Sequence, residues 1–155
     1  MGRAAAAALA LAALAVAMGG CGSGGGVEAG ATVDVYVSAR LCPGARQELS
    51  REQGKAGKLE VRARCLRPVV APGAARIDLA TQGANARRAS QDSTTVAYLE
   101  APGKAAKFAR PIVAEAGIAF VESRSGEAAM KRVLRAIADA GTSGSLREKV
   151  RDALE

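Results

Sequence analysis

Histidine and tryptophan are absent from this 155-residue chain, and Tyr36, Tyr98, Phe108 and Phe120 are its only aromatic residues. Without histidine it lacks the commonest general base and the commonest neutral metal ligand. It also has no Ser-His-Asp set, no SxxK sequence and no metal-ligand spacing. Glu115 and Glu122 are isolated carboxylates that read as surface groups, so the chain is expected to be non-enzymatic and to need no cofactor or metal. Few aromatics also leave nothing to interleave with basic side chains, which argues against nucleic-acid binding despite a formal charge of +7. The core must therefore be built from Ala, Val, Leu and Ile.

Long apolar runs are also missing, with one exception at the amino terminus. Met1-Gly2-Arg3 is a short positive head, and Ala4 to Ala17 is an unbroken run of Ala, Leu and Val. The run is too short for a bilayer-spanning anchor and has the proportions of a signal-peptide core. It meets Met18-Gly19-Gly20-Cys21 and then a glycine-rich stretch. That stretch is no phosphate loop, because it follows an export signal rather than a strand and no GxxxxGK sequence occurs.

Small residues directly before a cysteine resemble the lipobox of bacterial lipoproteins, with Met18 where leucine is commoner. The resemblance implies cleavage after residue 20 and acylation of Cys21. Residues 1–20 are then a signal peptide, 21–31 a lipidated cysteine with a flexible linker, and 32–155 the exported domain. Two or more acyl chains, at about 0.8 kcal/mol per buried methylene, hold such a protein stably on a bilayer. The spacer from Gly22 to Ala31 has a typical reach of about 17 Å. The expected location is the extracytoplasmic face of the cell membrane.

With Cys21 acylated, Cys42 and Cys65 remain, and an oxidising compartment permits one pairing. The alternative is two buried free thiols, and spacing alone does not choose.

Beyond the linker, strand and helix patterns alternate. Thr32 to Ser38 sets Val33, Val35 and Val37 on one face, and Leu59 to Leu66 alternates again. Thr94 to Leu99 and the short apolar Ile118 to Val121 complete four predicted strands. Helices are predicted over Leu41 to Gln53, Ile77 to Gln91, Lys104 to Ala116 and Glu127 to Ala140. Gly83 weakens the second, and Pro111 is expected to kink or restart the third. Ser145 with Glu148 forms a capping-box pattern opening a last helix to Leu154. This order predicts an α/β fold, a doubly wound three-layer sandwich with a short parallel sheet in the order 2-1-3-4. Ligands of such folds bind at the switch point between strands 1 and 3.

The stretches "GANARRASQDSTTVAYLE" and "ARPIVAEAGIAFVESRSG", with the closing "GEAAMKRVLRAIADAGTSGSLREKVRDALE", resemble the periplasmic solute-binding proteins of the leucine (branched-chain amino acid) type. The resemblance covers most of residues 32 to 155. It implies one lobe of a type I periplasmic-binding-protein-like fold, since the chain runs from Ser123 to Glu127 where the family inserts a second lobe. A single lobe offers half a cleft, and the loop after strand 1, Ala39-Arg40, is shorter than the family's contact loop.

By resemblance, ligand contacts fall on Glu100 and Ala101 after the third strand and on Ser123 and Ser125 after the fourth. The plainer reading is that Ser125 caps the following helix and Ser123 is a solvated loop residue. The expected function is weak binding of amino acids or similar small solutes, linked to an ATP-driven importer in the membrane. The alternative is a ligand-free interaction module that docks an envelope or membrane protein.

Overall fold

The computed structural model describes residues 27–70 and 76–155. The expected signal peptide, Cys21 and the first part of the linker lie outside the described residues, as do Pro72 and Gly73 of the loop after the second predicted strand. The elements in chain order are β1 (Thr32–Val37), α1 (Cys42–Arg51), β2 (Lys55–Ala56), β3 (Leu59–Cys65), α2 (Leu79–Gln91), β4 (Thr95–Glu100), α3 (Lys104–Glu115), β5 (Ala119–Glu122), α4 (Gly126–Ala140) and α5 (Leu146–Leu154).

These strands form one sheet in the order β2-β3-β1-β4-β5. The pairs β3–β1, β1–β4 and β4–β5 are parallel, whereas β2 is antiparallel to β3. The sheet is therefore mixed rather than all parallel. The addition is a hairpin of two-residue reach, in which Gly57 takes a φ of 58° that a side chain would resist. Two residues carry no hydrophobic period, which is why alternation did not reveal β2.

Helices flank the sheet on both faces, an arrangement compatible with a three-layer sandwich. On one face Val33, Val35 and Val37 of β1 meet Ala129, Met130, Val133, Leu134 and Ile137 of α4, with α1 and α5 beside them. On the other, Tyr36 and Tyr98 pack under α2 and α3, supplied by Ala86, Ala89, Ala106, Ala109 and Val113. Every residue of β4 is buried, as expected for a central strand covered on both sides. Alanine-rich helix faces allow close approach, and glycine allows the closest. A Cβ on Gly126 would lie 1.9 Å from the Leu41 carbonyl oxygen, so only glycine lets α4 begin against the loop after β1.

Pro111 does not restart the third helix, and α3 runs through it. The proline is exposed, so the carbonyl one turn back, which loses its donor, lies on the watered side. Cys42 and Cys65 are joined as a disulfide, their Cα atoms 5.7 Å apart, tying the start of α1 to the end of β3. Bridging a separation of 23 residues contributes about 3 kcal/mol in the chain-entropy account. Among the described residues no helix is long and apolar enough to cross a membrane.

Candidate functional site

From β1 the chain steps outward to β3, and from β4 it steps outward the other way to β5. The loops leaving β1 and β4 therefore diverge, and a crevice opens over their carboxyl ends. A cleft of about 430 Å³ sits there, walled by the segments Ser38–Arg40, Arg67–Val70 and Glu100–Ala105 and by residues of α2. Its size lies within the range of small-molecule sites.

Glu100, the last residue of β4, is 4% exposed and forms part of the cleft wall. Gln82 Nε2 donates to Glu100 Oε2 at 2.9 Å and to the Ala105 carbonyl at 3.2 Å. The Ala101 N–H donates to Glu100 Oε1 at 2.9 Å. An ionised carboxylate offers about four acceptor sites, so these two donors leave room for others. Asn85, one turn along α2 from Gln82, donates to the Arg67 carbonyl at 2.9 Å and holds the loop after β3 in place. Ser38 is 8% exposed at the end of β1, and its Oγ has no hydrogen-bond partner among the described residues. The exposed cations Arg40, Arg67 and Lys104 stand on three segments of the wall. The site thus pairs a buried carboxylate with a cationic surround, and Val69, Val70 and Ile77 supply apolar wall.

Beneath the cleft, the Tyr98 ring stacks on Phe120 with centroids 5.5 Å apart. Burial, with the Glu100 charge adding to it, pushes the Tyr98 hydroxyl well above the ordinary phenol range, and Gln82 opposes the shift. The hydroxyl stays protonated under Glu100.

Of the residues expected by resemblance, Glu100 and Ala101 lie together in the cleft wall. Ser123 and Ser125 are not among its lining residues. Ser125 Oγ accepts the Ala128 N–H at 3.2 Å and caps α4, while Ser123 Oγ accepts from the Ser125 N–H and donates to its carbonyl. The close approach at Gly126 seats the start of α4 against the loop after β1, on the sheet face away from α2 and α3. Gln82, Asn85, Ser38, Arg40, Arg67 and Lys104 were missed as site residues. The signal available was two amides, Gln82 and Asn85, on the helix face that continues into buried Ala86 and Ala89.

Among the described residues no group of three His, Cys, Asp or Glu side chains is placed to hold a metal ion. Comparison with protein-family models, with curated proteins and with solved structures finds no match to this chain.

Proposed function

We propose that the chain is a lipid-anchored, extracytoplasmic protein resembling a solute-binding protein, a single doubly wound lobe that binds amino acids or similar small solutes weakly and serves an ATP-driven importer. The observation that carries the binding part is Glu100, a buried carboxylate with unused acceptor capacity beside a cleft at the sheet's switch point. A zwitterion suits that wall. Its ammonium group pairs with Glu100 and the unpartnered Ser38 Oγ, and its carboxylate turns to Arg40, Arg67 or Lys104. The apolar wall accepts an aliphatic side chain. One lobe buries only part of such a ligand, so the expected affinity is on the order of 1 mM.

The anchoring part is supported by the leader composition and by the disulfide, which belongs to oxidising compartments. Isothermal titration of the chain with leucine, valine and other amino acids tests the binding. Heat that saturates in the millimolar range, and falls at least about tenfold in affinity in Glu100→Gln, is expected. No heat with any amino acid contradicts the reading and leaves the docking module, for which an exposed apolar surface beside the cleft speaks.

A further inference from the structure

The large apolar side chains that stand exposed among the described residues are Val70, Leu79 and Phe108. They are not scattered. Leu79 and Phe108, 46% and 40% exposed, line one open groove with Ile77, and Ile77 also lines the cleft wall beside Val70. The groove spans the starts of α2 and α3, and among the described residues its other lining side chains are Arg76, Lys104 and Lys107. The Phe108 ring edge rests over Gly83 of α2, where a Cβ would come within 3.4 Å of it, so the ring is seated between the two helices.

A contiguous apolar surface ringed by charge of one sign marks an interaction site. We infer that this groove docks a protein segment that presents an apolar side chain flanked by carboxylates. Three cations around an apolar floor are complemented by that chemistry, with the acidic flanks meeting Arg76, Lys104 and Lys107 and the apolar residue covering Leu79 and Phe108. A second copy of the chain is a poor occupant, because pairing the groove with itself sets the same cations face to face. A bilayer is also a poor occupant. Val27 lies at the amino-terminal end of the strands, near Ser93 to Val96 and Ser145 to Arg147, whereas the groove lies at the opposite end where α2 and α3 begin. On the tethered reading, a chain entering at Val27 leaves the groove at the end of the domain farther from the anchor. This inference deepens the docking side of the proposed function and rests on its tethered, extracytoplasmic reading.

A photo-reactive benzophenone residue in place of Phe108, in the full chain in its native cells, tests the inference. Illumination should yield a discrete protein adduct whose cross-linked peptide, read by mass spectrometry, carries Asp or Glu beside an apolar residue. The paired substitutions Arg76→Glu and Lys107→Glu, both at exposed positions, should reduce that adduct about tenfold. The same probe in place of exposed Leu79 gives a second reading should the first variant fold poorly. Adducts formed only with lipid or only with another copy, an adduct indifferent to charge reversal, or no adduct at either position would overturn the inference. Amino-acid titration of the charge-reversed chain reads the cleft separately, since neither Arg76 nor Lys107 lines it.

Discussion

Asp34 is a carboxylate 1% exposed in the middle of β1, and its neighbours explain how it is tolerated. Arg62 reaches it through Nε at 2.8 Å and Nη2 at 3.1 Å, Arg64 through Nε at 3.1 Å, and Thr94 Oγ1 at 2.9 Å. The arginine side chains are themselves about half exposed, so the two ends of the pair are not equivalent. Removing both guanidinium groups strands a buried charge, whereas removing the charge leaves two cations that water can solvate. Chemical denaturation should therefore show Arg62→Ala with Arg64→Ala losing more stability than Asp34→Asn. Equal losses would contradict this account. At the same scale, Glu100 is a candidate through the family resemblance, which places ligand contacts after the third predicted strand. The sequence did not reveal Gln82, Asn85 or Ser38, whose roles depend on a crevice made by four separate segments. The plainer reading of Ser125 as a helix cap is what the structure shows, while Ser123 spends its hydroxyl on the backbone of Ser125 in the turn into α4.

Elements were more legible than residues, because hydrophobic period is a property of a stretch rather than of one side chain. The apolar stripe of α4, the alternation in β1 and the capping serine of α5 are present in the structure near where periodicity and capping placed them. What periodicity cannot report is short or close. β2 is too short to show a pattern, and the contact of α4 with the loop after β1 depends on one missing Cβ. α5 is held partly by Arg147, whose guanidinium donates to the carbonyls of Thr95, Ala116, Asp92 and Ser93 between 2.9 and 3.2 Å, contacts across 31 to 55 residues that no local pattern encodes. The tightest of these constraints gives the clearest test. Gly126→Ala forces a methyl group against backbone atoms of Leu41 and Ala45 that cannot swing aside. It should destabilise the chain by about 3 kcal/mol or more, seen as a lower thermal midpoint, with Gly141→Ala, which meets open space, as a partial control for backbone strain alone at its φ of 65°. An unchanged midpoint for Gly126→Ala would mean that α4 does not sit as described.

At the scale of the whole molecule, the two ends of the sheet do different work. The amino-terminal end lies beside Val27, where the described residues begin, and the carboxyl-terminal end carries both the Glu100 cleft and the basic apolar groove. The proposed tether at one end and the open cleft at the other suit a protein that meets its solute or partner at a distance from the bilayer. The net positive charge remains when residues 1–20 are set aside, because Arg3 is their only charged side chain. The four parallel strands and the helix order were readable in the chain at this scale, but the mixed character of the sheet and the position of the groove were not, since both arise from how separate elements meet. The claim on which the extracytoplasmic reading and the polarity of the molecule depend is attachment through Cys21. Intact mass spectrometry of the protein extracted from its native membranes measures it directly. The account predicts a chain beginning at Cys21, heavier by two or more acyl chains and lighter by the two hydrogens of the Cys42–Cys65 bridge. A chain that still begins at Met1, carries no lipid and is recovered from the cytosol would contradict it.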